Sequence, residues 1–240
     1  MPAHFCGPAA AAYDAGRAPY GPEVVAALGL PEAPARVLDL AAGTGLLSRA
    51  LLAGGYAVVA VEPDADMASR LPDGAEAHTA TAEATGLPAE SVDAVVVGDA
   101  WHWFAPAAAA EVHRVLRPGG RLALAWRGSI AEERPAQLKG FHARLVAARG
   151  EHPAFRGDRG RETLEAHPGF TAFEHREVRF VHRTDRAGLL AEAASQSFVN
   201  ATAHREALLA ALRRELDDAG VGAVDVPYRA EVWLTRRAPA

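Results

Sequence analysis

Three stretches of the chain hold residues whose types and spacing could do chemistry. The segment 37–45 reads Val-Leu-Asp-Leu-Ala-Ala-Gly-Thr-Gly, an apolar run that breaks at Gly43 and Gly45. Glycine lets the backbone turn tightly and lets a ligand approach the main chain. A helix that opens there offers unpaired N–H groups. The next apolar run, Ala57 to Glu62, ends on a carboxylate that could accept hydrogen bonds from both hydroxyls of a ribose. Asp39 and Glu62 are carboxylates at strand ends beside a glycine turn, where packing alone rarely places them. The third stretch, Gly98-Asp-Ala-Trp-His-Trp-Phe104, sets His102 among Trp101, Trp103 and Phe104. A histidine can act as a base or donate a hydrogen bond near neutral pH. Indole rings can wall an apolar pocket, and their N–H can orient an anion.

The glycine turn alone fits two cofactors. Gly43-Thr-Gly45-Leu-Leu-Ser48 nearly matches the dinucleotide fingerprint, with serine in place of the third glycine. Asp39 argues against a dinucleotide, because a carboxylate before the turn repels a pyrophosphate. It suits the ammonium and sulfonium of S-adenosylmethionine (SAM). A sixth strand and an antiparallel final strand after the fifth point the same way.

These residues need a scaffold, and the pattern supplies one. Strands are expected at 36–40, 57–62, 75–79, 93–98 and 121–126, alternating with helices at 22–28, after Gly45, at 64–70 and at 106–116. Arg117-Pro-Gly-Gly120 reads as a turn. Such alternation implies a parallel sheet, and nearly continuous apolar strands imply burial on both faces. Beyond it, helices are expected at 133–149, 185–195 and 201–219, with strands at 173–182 and 228–235. Residues 1–21 read as a flexible entry segment. Arg156 to Arg161 read as a solvated charged loop.

Composition sets the bounds. The chain has 240 residues, a net charge of -5 and one cysteine, Cys6, which rules out an internal disulfide. The acidic balance argues against nucleic acid as a partner. The start lacks the features of a signal peptide, and no apolar run reaches the ~20 residues that span a bilayer. The expectation is a cytoplasmic protein, monomer or homodimer, with no membrane partner. The remaining histidines, His113 among them, form no metal-ligand spacing, so no metal is expected.

Taken together, VLDLAAGTG, VEPDADM (61–67), ATAEATGLPAESVDAVVV (80–97), AWHWF (100–104) and EVHRVLRPGGRLALAW (111–126) resemble the class I SAM-dependent methyltransferases in order and spacing. They are most similar to the small-molecule group that contains the UbiE-like quinone and trans-aconitate methyltransferases. The resemblance covers residues 13–126. It implies an α/β fold, a doubly wound Rossmann-like sheet of seven strands, mostly parallel with the last antiparallel, and helical insertions over the active site. It implies one domain over 1–240, with a lid at 1–21, a SAM-binding core at 36–126, a variable substrate-capping region at 127–226 and a final strand at 227–236.

The resemblance also implies roles. Asp39, Ala41, Gly43 and Gly45 would line the amino-acid end and sulfur of SAM, and Glu62 would hold the ribose. Pro63 and Met67 would pack on the adenine, with Thr81, Ala82 and Glu83 at its edge. Gly98 would line the cofactor, and Tyr13, Arg17 and Tyr20 would form the lid. Ala41 replaces a motif glycine, Thr81 an acid, and Ala18 and Gly21 prolines. The acceptor would meet Asp99, Trp101, His102, Trp103, Trp126 and Arg127. Phe104 reads as core. Phe141 and Phe198 lie in the capping regions.

Methyl transfer needs proximity and exclusion of water more than a triad. The reaction implied is methylation of a small molecule, with oxygen (carboxylate or hydroxyl) favoured over nitrogen or carbon. A SAM-binding protein without catalysis and an NAD-dependent oxidoreductase are the competing functions. His102 would be a base or an acceptor-orienting group. The His-Trp pair also resembles that of carboxyl methyltransferases, where it helps hold a substrate carboxylate.

Overall fold

The structure is a computed structural model that describes residues 8–150 and 161–238. Its centre is a seven-stranded sheet in the order β3-β2-β1-β4-β5-β7-β6. The strands are β1 (Arg36–Leu40), β2 (Ala57–Val61), β3 (Glu76–His78), β4 (Val92–Gly98), β5 (Leu116–Ser129), β6 (Glu174–Thr184) and β7 (Val224–Arg236). β7 runs antiparallel to both of its neighbours, and the pairs among the first five strands are parallel.

Alternation along each strand splits the core into two layers. Leu38, Leu40, Val59, Val61, Val95 and Val97 face helix α5 (Ala107–Val115), which contributes Ala108, Val112 and Val115. Val37, Val58, Ala94 and Val96 face the other way, onto Val24 and Leu28 near helix α2 (Pro22–Ala27) and onto Leu47 and Leu51 of α3 (Leu46–Ala53). Burial on both faces explains why these strands read as unbroken apolar runs. Strand order reverses between β1 and β4, and ligands of such sheets bind outside the carboxyl ends at that point.

The third core belongs to the cap. α6 (Lys139–Arg149), α8 (Arg186–Ala194), α9 (Ser197–Ala201) and α10 (Arg205–Asp218) stand over the carboxyl end of the sheet. Leu138, Phe141, Leu189, Leu212 and Leu216 pack there against Val226 and Tyr228 of β7. Two short helices, α4 (Ala65–Ala68) and α7 (Glu162–Glu165), complete the set with α1 (Pro8–Gly16).

Several expectations are corrected. The entry segment holds the helix α1, which four consecutive alanines make easy to form. It lies so close to α8 that a Cβ on Gly16 would strike the backbone of Ala191 and Glu192. Arg117–Gly120 does not end the helix-to-strand connection. Leu116 already pairs with Val92, the ladder resumes at Arg121 opposite Ala94, and the four residues bulge out between them. The helix expected over 201–219 is α10, which starts only at Arg205, and an unexpected short helix, α9, ends at Ala201 before it. β7 starts at Val224, four residues before the expected 228, because β6 continues to Thr184 and pairs with it there. Cys6 and residues 156–160 of the charged cluster lie outside the described residues. No described helix is long and apolar enough to cross a membrane.

Candidate active site

A cavity of about 460 Å³ opens at the reversal between β1 and β4, under the cap. One side of it is backbone. After β1 the chain turns through Ala41 and Gly43, both with φ of 59°, and Gly45 with φ of 82°. Glycine adopts this left-handed region without cost, whereas Ala41 does so against its Cβ. A Cβ on Gly43 would meet nothing within 4 Å, so open space faces it. At Gly45 a Cβ would strike Pro72, so that glycine serves the packing of the turn.

Glu62 is the hub of this side. Its Oε2 accepts from the Gly43 N–H and its Oε1 from the Asp64 N–H, both at 2.9 Å. Burial raises its pKa, and those two N–H groups oppose the rise. The carboxylate reaches the cavity with lone pairs left over, beside Ala41 and Met67. Met67 packs against Ala10 and Tyr13, which places α1 over this end.

Asp39 does not line the cavity. It is 1% exposed and accepts from Ser48 Oγ at 2.6 Å. Burial pushes its pKa up to about 7, although the Ser48 bond opposes the shift and Glu62 adds to it. Its place is behind the glycine turn, where it ties β1 to α3. Pro63, Thr81, Ala82 and Glu83 also stay off the cavity wall. Ala82 is buried in the core, and Glu83 accepts from the Ala105 N–H.

The segment after β4 carries the second group. Asp99 has φ of 54°, a conformation that aspartate tolerates better than most residues. Its Oδ1 accepts from the Arg127 N–H at 2.9 Å, and its Oδ2 from Arg127 Nη2 at 2.8 Å. Burial opposes its ionisation, but the Arg127 charge outweighs it and holds the pKa low. Arg127 also donates to the Ala18 carbonyl and lies 3.6 Å over the Tyr20 ring. Tyr20 in turn fills the space that a side chain on Gly98 would need. Both charged groups touch the cavity, yet they are bound to each other. They join β4 and β5 to the N-terminal segment.

His102 and Trp103 sit in a single 3₁₀ turn and both line the cavity, with ring centroids 4.8 Å apart. Trp126 lines it from β5. Trp101, expected on the acceptor, is instead 2% exposed in the sheet core, with its ring edge-on to Phe104. The short helical turn explains the difference, because it points neighbouring side chains in different directions. His113 is structural, with its ring 5.3 Å from that of His167 and 5.8 Å from that of Phe170. No metal-binding cluster occurs among the described residues.

The cap supplies residues that the sequence did not single out, notably Arg134, His142, Glu192 and Tyr228. No motif marks them. They come from four separate elements, and only the packing of the cap brings them together. Of Phe141 and Phe198, the second lines the cavity and the first is buried in the cap core.

A family model described as a methyltransferase domain matches residues 38–124. A protein from Mycobacterium tuberculosis, named only as an uncharacterised methyltransferase, is 40% identical over 197 residues, which is 80% of this chain and 76% of that one. The chain belongs to the class I SAM-dependent methyltransferases. A Mycobacterium bovis protein, likewise an uncharacterised methyltransferase, matches to the same extent. Among solved structures, an Anaeromyxobacter dehalogenans protein assigned as a type II methyltransferase superposes with a TM-score of 0.68 at 24% identity. It covers 93% of this chain and 99% of its own. A phosphoethanolamine N-methyltransferase of Haemonchus contortus, solved with phosphomonomethylethanolamine and S-adenosylhomocysteine, gives 0.55 at 14% identity, over 96% of this chain and 57% of its own. At such identities the likeness is one of fold. This methyltransferase therefore has the expected sheet, with β7 as its antiparallel strand.

Proposed function

We propose that this methyltransferase moves the methyl group of SAM onto a small-molecule acceptor, with oxygen as the favoured methylated atom. The observation that carries the reading is one cavity with two kinds of lining. Glu62, Gly43 and Ala41 lie on its wall together with His102, Trp103 and Trp126. A cofactor and an acceptor that share one cavity meet the first requirement of methyl transfer, which is proximity.

The residues present fit the cofactor. The Glu62 carboxylate is oriented by two backbone N–H groups and can accept from a ribose. Open space at Gly43 admits a ligand against the main chain, and Met67 offers an apolar face. Bound SAM supplies a methyl group already activated by a positive sulfur. The protein holds, orients and dries. His102 and Trp103 face the acceptor. They orient it and, where the acceptor must lose a proton, His102 takes it. The described residues of the cap close the cavity from above and set the choice of acceptor.

The test is calorimetry of S-adenosylhomocysteine with wild type and Glu62→Ala. Wild type should bind, and the variant should bind at least ~100-fold more weakly, the loss of a buried charged acceptor to two hydroxyls. A folded wild type that binds neither SAM nor S-adenosylhomocysteine sinks the reading. Once an acceptor is found, His102→Asn separates two chemistries. A carboxylate needs no base and should keep most activity, whereas a phenol or amine should lose rate and change its pH profile.

A further inference from the structure

Arg134 makes no ion pair with any described residue. Its Nε and Nη2 both donate to one neutral oxygen, Ser129 Oγ, at 3.1 and 3.0 Å. An Nε/Nη2 edge of this kind matches the two oxygens of a carboxylate, which would take the place of Ser129 there. Its Nη1 finds no acceptor among the described residues, and no described carboxylate pairs with it. The side chain is half-buried on the cavity wall. Burial pulls its pKa down, while Glu192, Tyr228 and Glu132 raise it and Arg149 lowers it. Both acids attract it, but neither forms an ion pair with it. Glu192 accepts from Tyr228 Oη at 2.8 Å, and Glu132 is exposed.

His142 stands beside it, close enough for the Arg134 charge to act on the ring. Its Nε2 is buried and has no hydrogen-bond partner. Burial, with Arg134 second, lowers its pKa to about 4, so the ring is neutral at pH 7. The tautomer with the proton on Nε2 is then a donor without an acceptor. A buried unmatched donor and a half-buried unmatched cation are each costly. Both residues line the cavity that receives the acceptor, with Nε2 itself buried behind its surface.

We propose that Arg134 and His142 receive a carboxylate carried by the acceptor, which makes the substrate of this methyltransferase a small organic acid. The proposal rests on the methyltransferase reading of the cavity given above. The carboxylate takes N–H bonds from the guanidinium, and His142 Nε2, which is buried, joins it once the ring turns toward the cavity. Arg134 acts here as a binding residue. The methylated atom is set by what this anchor brings to His102 and Trp103.

The experiment is calorimetric binding of aliphatic and aromatic monocarboxylic acids, each paired with its primary amide. It is run with and without saturating S-adenosylhomocysteine, on wild type, Arg134→Gln, Arg134→Lys and His142→Leu. Acids should bind wild type at least ~10-fold tighter than their amides, the scale of a charge-assisted bidentate contact. Arg134→Gln should reduce each acid to the level of its amide while keeping S-adenosylhomocysteine affinity within about twofold. That affinity also reports that the variant is folded. Arg134→Lys should fall between the two, and His142→Leu should weaken acids by a smaller factor. The proposal is overturned if no acid binds wild type, if acids and amides bind alike, or if Arg134→Gln binds acids as wild type does. It is also overturned if Arg134→Gln loses S-adenosylhomocysteine, because the cofactor's own carboxylate would then be the partner. A wild type that prefers acids yet ignores S-adenosylhomocysteine would sink the SAM reading and leave the anchor standing.

Discussion

The cavity has two walls built on different principles. The wall from β1, β2 and β4 is shaped by its main chain, with Ala41, Gly43 and Asp99 in left-handed conformations and Glu62 held by backbone N–H groups, and Met67, His102 and Trp103 add side chains to it. The cap wall is made of long side chains, Arg134, His142 and Tyr228, on elements that pack around their own core. A main-chain wall is fixed by strand register and changes little when side chains change. A side-chain wall can be rebuilt by substitution while the sheet stays as it is. The first kind suits a ligand shared across a family, and the second suits one that differs between members.

Arg127 joins the main-chain wall to the N-terminal segment, whose Ala18 packs into the cap core, since it bonds Asp99 on one side and the Ala18 carbonyl on the other. Arg127→Met should therefore have the largest effect. Leaving Asp99 buried without its partner should cost ~3–5 kcal/mol in urea unfolding. A loss under ~1 kcal/mol would show that the walls are not joined there.

The next effect belongs to the main-chain wall alone. Asp39 has an unfolded pKa near 3.8 and a folded value of about 7. Between these values the unfolded chain loses this proton while the folded chain keeps it. Stability from this group is thus fully present below pH 4 and falls as pH rises toward 7. The loss is a few kcal/mol at ~1.4 kcal/mol per unit. Asp39→Asn should flatten that slope in denaturation measured from pH 4 to 8. An unchanged slope would place the titration elsewhere.

The smallest effect is one exchange with opposite signs in the two regions. Ala41→Gly relieves a left-handed alanine and should raise stability by about 0.5–1 kcal/mol. Ala210→Gly, on the exposed side of α10 in the cap, should lower it by about 1 kcal/mol. Equal signs in thermal melts would mean that the turn at Ala41 carries no strain.

The main-chain wall was legible in the sequence because its devices are local. Gly43, Gly45 and Glu62 announce a turn and a strand end by type and spacing, and the apolar runs of β1, β2 and β4 need only burial on both faces to be read. Asp39 was legible as unusual but not as to its partner, since the reach to Ser48 depends on where α3 lies. Trp101 and Trp103 look alike in sequence, and one 3₁₀ turn sends the first into the core and the second into the cavity. The cap wall was not legible. Arg134, His142 and Glu192 belong to segments whose relative placement is set by α6, α8 and α10 packing together, and single-residue patterns hold no record of that.

Gly16 carries a last consequence. The α1 backbone rests directly on that of α8, and the next residue, Arg17, donates to Ser195 Oγ at 2.8 Å and to Gln196 Oε1 at 3.2 Å. α1 covers the Glu62 end of the cavity, whereas α8 and the residues after it cover the Arg134 end. The two covers are thus clasped to each other. Swinging one away either carries the other with it or breaks the Arg17 bonds. A ligand that left past one cover would have to displace both, and its release would be no faster than that joint opening.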